Sequence, residues 1–249
     1  MIKKISLFFI SAFLALAPAA FAESYHYSES EKAVFSFFKL SHGEPNYESW
    51  INASPNVASI VDTKKKAELY EQESLRLKWG FGTFDVTRDF LKINTDVVLS
   101  LTRTKGKTLL NFMFPNAKSD EIPYFPYAYG SEWIALVVED LGNYTHVPLT
   151  QGEEELARKY ISEGQIYPIK LVVRARMKKA DSAEPLMLDG MTQWIMSGEV
   201  GHIEFVYKDP KTGEEITLWK LTAPWYLTDT EKMLMPLLDE NISNKPPSN

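Results

Sequence analysis

The sequence predicts an α+β fold in which N-terminal helices precede a mainly antiparallel, curved β-sheet with one inserted helix. Three observations support this prediction. Apolar residues in the first third repeat at helical spacing, later segments alternate with a period of two, and short turn sequences separate neighbouring strands. Helices that come before hairpins, instead of alternating with strands, are typical of the α+β class.

The helical part is predicted to cover residues 28–82. Ser28 or Ser30 can cap a first helix, because a serine side chain accepts a hydrogen bond from the free N–H groups at a helix start. Asn46 can begin a short second helix in the same way. A longer amphipathic pattern over residues 57–81 predicts a third helix.

The mainly β part is predicted to cover residues 89–223. Apolar residues at odd positions from Leu91 to Leu101 alternate with mostly polar ones, which predicts a strand with one buried face. The turn sequence at residues 105–107 then predicts a hairpin. Thr150 and Glu153 have the spacing of a capping box, which begins the inserted helix.

Two later segments predict further strands. In residues 169–177 every odd position is apolar, and the even positions are basic except for Val172. Residues 191–207 and 215–221 flank the turn composition of residues 209–213 and therefore predict another hairpin. No linker interrupts the pattern, so residues 23–243 are expected to form a single domain, followed by a disordered tail at 244–249.

The first 22 residues are typical of a cleaved secretory signal peptide. Lys3 and Lys4 precede an apolar stretch that is too short for a bilayer span of about 20 residues. Small residues then lead to an expected cleavage between Ala22 and Glu23. We therefore expect a bacterial protein that is exported to the periplasm or the medium, with no transmembrane segment in its mature form.

Composition excludes several kinds of site. Removing Lys3 and Lys4 with the signal changes the net charge from −6 to −8, which argues against nucleic acid and anionic membranes as general partners. The chain has no cysteine, which excludes disulfides, thiolate metal sites and a cysteine nucleophile. The sequence predicts no cofactor and leaves the oligomeric state open.

An enzymatic alternative is a serine hydrolase or acyl-transfer enzyme of the cell envelope that uses Ser36 and Lys39. Residues 36–39, 54–56 and 211–213 follow the order of three short motifs found in penicillin-binding proteins and serine β-lactamases. Ser36, however, lies among apolar residues in the middle of a predicted helix, and residues 211–213 fall in a predicted turn. We therefore interpret the match as coincidence.

A second group of polar residues combines Glu199, His202 and Glu204. On a regular strand His202 and Glu204 share one face and Glu199 lies on the other, so the three side chains are not expected to converge on a metal or a proton. The sequence therefore predicts no metal site and no catalytic residue.

Two segments are candidate ligand-binding surfaces. The first is a proline-rich aromatic loop, whose rings suit sugar or peptide contacts unless they cover one end of the sheet. The second is a row of basic side chains along one strand, which suits an anionic envelope ligand unless neighbouring acidic residues neutralise it. The aromatic candidates are Tyr124, Tyr127, Tyr129 and Trp133, and the basic ones are Lys170, Arg174 and Arg176, with Lys178 extending the row.

These observations favour a non-catalytic binding or interaction module of the periplasm or cell envelope. Its partner is expected to be an envelope ligand or a protein. A third alternative is a structural subunit that pairs with another chain through a sheet edge.

Overall fold

A computed structural model describes residues 26–115 and 122–227 of the chain. The cleavage predicted between Ala22 and Glu23 and the tail predicted at 244–249 lie outside the described residues. Within them, the helices come first and the strands follow, as predicted.

Four helices form the N-terminal part. They are α1 (Glu29–Ser41), α2 (Tyr47–Ala53), α3 (Pro55–Ala58) and α4 (Thr63–Thr83). Ser28, not Ser30, caps α1, and Glu31 completes a capping box by accepting from the Ser28 backbone N–H. The continuous helix predicted over residues 57–81 is wrong, because the chain leaves the helical conformation after Ala58. Asp62 then caps α4 by accepting from the Lys65 backbone N–H at 2.8 Å.

Eight strands form one sheet whose order is β3-β4-β7-β6-β1-β2-β5, with β8 beside β7. All neighbours are antiparallel except β4 and β7. A fifth helix, α5 (Gln151–Tyr160), is inserted between β5 and β6, and Thr150 begins it with the predicted capping box. The α+β class is therefore confirmed. The strands are β1 (Leu91–Thr104), β2 (Lys107–Met113), β3 (Tyr124–Tyr129), β4 (Glu132–Val138), β5 (His146–Pro148), β6 (Ile166–Leu188), β7 (Met191–Lys208) and β8 (Glu215–Thr222).

The sheet curves around α1. Four strands separate β3 from β2 in the sheet order, yet Phe125 of β3 and Phe114, just beyond β2, have ring centroids only 6.1 Å apart. α1 packs against β1, β3, β4 and β6 on the concave side. Its residues 33–37 are almost fully buried there. We call the concave side the inner face and the opposite side the outer face.

Phe35 of α1 lies at the centre of the aromatic packing between the helices. Its ring centroid is 5.4–5.9 Å from those of Tyr27, Trp50, Phe81 and Phe84. Phe35 and Trp50 are completely buried. Pairs of rings at these separations add to the stabilisation that burial provides.

A buried ion network joins α1 to α4. One guanidinium nitrogen of Arg76 lies 2.6 Å from a carboxylate oxygen of Glu31 and 2.6 Å from one of Glu73. Only 4 % of Glu31 and 3 % of Glu73 is exposed. Burial alone would raise the pKa of Glu73, but hydrogen bonds from Arg76, Ser54 and Asn56, with the charge of Arg76, hold it below its usual value.

The segment predicted as an aromatic loop is instead the edge strand β3. Proline and glycine at positions 123, 126 and 130 suggested a loop, but an edge strand tolerates proline because its outer backbone groups have no partner strand. Residues 124–129 pair in register with β4.

The strand β6 is longer than predicted and extends to Leu188. A hairpin turn at Asp189 and Gly190 then joins it to β7, and the φ values of these residues, 48° and 78°, suit a two-residue turn.

Candidate functional site

The aromatic and basic candidates do not form one surface. Tyr127 and Tyr129 face α1 on the inner side of the sheet, whereas Arg174 and Arg176 lie on the outer face. The cleft that would combine the two candidate surfaces is therefore absent from the described part of the chain.

Tyr127 and Tyr129 contribute to the core, as the alternative interpretation of the aromatic segment required. Burial, with the nearby carboxylates of Glu29 and Glu31 respectively, raises the pKa of both phenols above their usual value. The Tyr129 hydroxyl donates to Glu31 at 3.2 Å, and its ring lies 6.2 Å from that of Trp50. These two tyrosines stabilise the position of α1.

Tyr124 and Trp133 remain accessible. The Tyr124 hydroxyl donates to the Asp189 carboxylate in the turn between β6 and β7. Tyr124 and Asp189 line a cleft of about 340 Å³, together with Phe114 and Ile122. Trp133 is 37 % exposed and is not among the residues lining this cleft.

Most of the basic row is neutralised by carboxylates. Lys170 lies 3.1 Å from Glu215 of β8. Arg176 donates two hydrogen bonds to Glu199, and Lys178 approaches the other oxygen of Glu199 at 2.9 Å. Burial alone would raise the pKa of Glu199, but the two cations hold it below its usual value. These three cations are therefore not available as a charged row.

Arg174 differs from the other cations of the row because its cross-strand neighbour is another cation. Lys92 of β1 is its direct cross-strand neighbour on one side, and His202 of β7 is its neighbour on the other. Within residues 26–115 and 122–227, no carboxylate oxygen lies within 4.0 Å of the charged nitrogens of Lys92 or Arg174. Sequence reasoning identified Arg174 but missed Lys92, because their proximity depends on the register between distant strands.

A β-bulge at Gly201 places Glu199, His202 and Glu204 on the same face. The pairing skips Gly201 between His202, opposite Arg174, and Val200, opposite Ala175. The prediction that Glu199 lies on the opposite face is therefore wrong. The three side chains still have separate partners, and among the described residues no group of three metal-ligating side chains converges.

Phe90, Trp225 and Tyr226 form an aromatic wall beside Arg174. The chain turns back after β8, and the Ala223 backbone N–H donates to the Gly201 carbonyl at 2.8 Å. The Tyr226 ring centroid then lies 4.7 Å from that of Phe90, and the Trp225 ring lies 3.9 Å from the Arg176 guanidinium carbon. Sequence reasoning missed this wall, because its members lie outside the aromatic segment and just beyond the strands.

His202 lies between Arg174 and the last strand. Its Nδ1 is 2.7 Å from the Thr222 hydroxyl, and its Nε2 is 3.9 Å from a Glu204 oxygen. Burial lowers its pKa most, and Arg174 and Lys220 lower it further, whereas Glu204 opposes them. The neutral imidazole is therefore favoured in the folded protein.

Ser36 lacks the exposure that the hydrolase alternative requires. It is fully buried within α1, and in the described structure its hydroxyl has no hydrogen-bond partner. The Lys39 ammonium lies 4.7 Å above the Phe81 ring and 3.5 Å from the Gly82 carbonyl oxygen. Residues 211–213 belong to the turn between β7 and β8, as predicted.

Comparison with known proteins gives no family assignment. No family model, no curated protein and no solved structure matches the chain. None of the described helices combines the length and hydropathy needed to cross a membrane.

Gly201→Ala is expected to displace the aromatic wall. The added Cβ would lie 2.6 Å from a Tyr226 ring atom and 2.7 Å from a Trp225 ring atom. We expect the free energy of unfolding to fall by about 1–3 kcal/mol through overpacking and Trp225 fluorescence to shift towards that of a solvated indole. Gly82→Ala is the matched control, because its Cβ meets nothing within 4 Å. Equal stability and unchanged fluorescence in both variants would contradict the packing of the wall.

Proposed function

We propose that the chain is an exported, non-catalytic binding module of the bacterial envelope that holds an anionic ligand on the outer face of its sheet. The observation that carries the proposal is the cross-strand pair of Lys92 and Arg174. Like charges directly opposite each other destabilise a sheet unless an anion lies between or beside them. A bound anion removes this repulsion, so the folded chain favours the complex.

The charges around the pair favour a specific anion site over nonspecific attraction of anions to the whole protein. The mature chain has an expected net charge of −8, so it repels anions at long range. Lys170, Arg176 and Lys178 on the same strand are all paired with carboxylates. Within the described parts of β1 and β6, Lys92 and Arg174 thus form a cross-strand cation pair that no carboxylate neutralises, which favours a ligand docked at that position.

The backbone around this pair is well suited to hold a ligand in place. Lys92 and Arg174 project from paired strands in the middle of the sheet, where backbone positions are more precise than in loops. The periplasm or the medium is the proposed compartment, on the basis of the N-terminal segment.

The test combines export with binding. The full-length chain is expressed in a bacterium, recovered from the periplasm, and analysed by native mass spectrometry for retained anions. We expect a mature chain that begins at Glu23 and carries an anionic molecule in the wild type and in Lys170→Gln. The double variant Lys92→Gln/Arg174→Gln is expected to lose it.

Two results would count against the proposal separately. An intact Met1 on protein confined to the cytosol would contradict export. Identical retention, or no retention, in the wild type and the double variant would contradict binding at Lys92 and Arg174. Lys170→Gln is the matched control, because it removes one positive charge from the same face of the same strand.

A further inference from the structure

We infer that the ligand of the Lys92 and Arg174 site is a phosphate ester, with the phosphate on the two cations and its attached group against the aromatic wall of Phe90, Trp225 and Tyr226. This inference rests on the proposed function and names its ligand class. The attached group is apolar or ring-shaped. The phosphate can belong to a lipid headgroup or to a free small molecule.

Phosphate matches the arrangement of the two cations better than carboxylate does. Cross-strand neighbours have Cβ atoms about 5 Å apart, so two separate cationic groups reach the same volume. A guanidinium binds two oxygens of a phosphate side by side, and an ammonium can bind a third as a point charge. A carboxylate can also bridge two cations, as Glu199 bridges Arg176 and Lys178, but its single negative charge balances only one of them, whereas a phosphate monoester carries about two negative charges at neutral pH.

The carboxylates of Glu29 and Glu204 have other partners and do not compete for these cations. Glu29 accepts from the backbone N–H of Lys92 at 2.6 Å and from the Lys32 ammonium at 2.9 Å. Glu204 accepts from the Thr217 hydroxyl at 3.4 Å and lies 3.9 Å from His202.

The aromatic wall lies one row of the sheet away from the cation pair. Phe90 directly precedes β1 and lies two residues before Lys92. Tyr226 contacts both Phe90 and His202, and His202 is the cross-strand neighbour of Arg174. These partly exposed rings form an apolar surface on one side of the cations. A ring or acyl group attached to the phosphate buries that surface at little cost in conformational entropy.

The experiment is a titration with three soluble probes: phenyl phosphate, inorganic phosphate and benzoate. We expect phenyl phosphate to bind at least about tenfold more tightly than either of the others. Arg174→Gln is expected to weaken phenyl phosphate binding by about tenfold or more, whereas Lys170→Gln changes it by less than about twofold. A bound phosphate also adds negative charge beside His202, so the pKa of His202, followed by NMR, is expected to rise on binding.

Vesicles distinguish the two sources of the phosphate. Binding to phosphatidylcholine vesicles only when they contain phosphatidic acid, and loss of that binding in Arg174→Gln, would assign the lipid headgroup. Binding of phenyl phosphate without binding to these vesicles would assign a free ester. Both results support the inference.

Three other outcomes would contradict part or all of the phosphate-ester inference. Benzoate that binds as tightly as phenyl phosphate through Arg174 would overturn the phosphate class and leave the proposed anion-binding function intact. Phenyl phosphate that binds Arg174→Gln as tightly as the wild type would overturn the site itself. Inorganic phosphate that binds as tightly as phenyl phosphate would exclude the contribution of the aromatic wall.

Discussion

Arg76→Met is expected to lower the free energy of unfolding at neutral pH by about 3–5 kcal/mol. Methionine keeps much of the side-chain volume but leaves Glu31 and Glu73 buried without the guanidinium that binds both. An uncompensated buried carboxylate is among the most costly local changes that a folded protein can undergo. Chemical denaturation at about pH 7.5 measures the loss.

The loss of stability in Arg76→Met is expected to be smaller at acid pH, because Glu73 can then be protonated. In the wild type the pKa of Glu73 lies below its usual value, so this group stabilises the fold above that value and loses its contribution as the pH falls through its folded pKa. In Arg76→Met burial acts without the opposing guanidinium, so protonation relieves the variant. We therefore expect a smaller difference from the wild type at about pH 5 than at about pH 7.5.

Arg88→Gln provides the matched control for this variant. Arg88 is largely exposed and pairs with Asp85 at 3.7 Å, so its replacement is expected to change stability by no more than about 0.5 kcal/mol. If Arg76→Met lost no more stability than Arg88→Gln, the ion network would not contribute to the fold as its geometry indicates.

Phe35→Ala is expected to destabilise the protein by about 3–5 kcal/mol. The substitution removes a completely buried ring and leaves a cavity among the four rings that surround it. Thermal and denaturant unfolding both measure this loss. Phe35→Leu keeps most of the apolar volume and should cost markedly less.

Trp133→Ala is the exposed counterpart of Phe35→Ala. Trp133 is 37 % exposed on the edge hairpin, so we expect a change of less than about 1 kcal/mol. A loss in Trp133→Ala equal to that in Phe35→Ala would contradict the placement of the core around α1.

Local patterns in the sequence predicted most elements of the fold. The alternation over β1, the serine cap of α1, the capping box of α5, and the turn between β7 and β8 are all signals within a few residues. The edge strand β3 escaped prediction because its proline argued for a loop. The turn at Asp189 and Gly190 was not predicted, although Asp-Gly between apolar residues is a strong hairpin signal.

The candidate site was predictable only in part, because it depends on register and on one bulge. Arg174 was recognisable as one cation in a row, but its lack of a partner follows from the positions of Glu199 and Glu215 on other strands. Lys92 is more than eighty positions earlier in the chain, and only pairing between β1 and β6 makes it a neighbour. No local pattern encodes such a contact.

The enclosure of α1 has a consequence for how the chain folds. The first described helix buries its apolar side chains against β6, which ends at Leu188, so these contacts join residues separated by more than a hundred positions. Closing such long loops before any contact forms slows folding relative to that of a helical bundle. A slowly folding chain stays unfolded for longer after synthesis, and the export proposed above requires an unfolded chain only if it passes through a narrow channel.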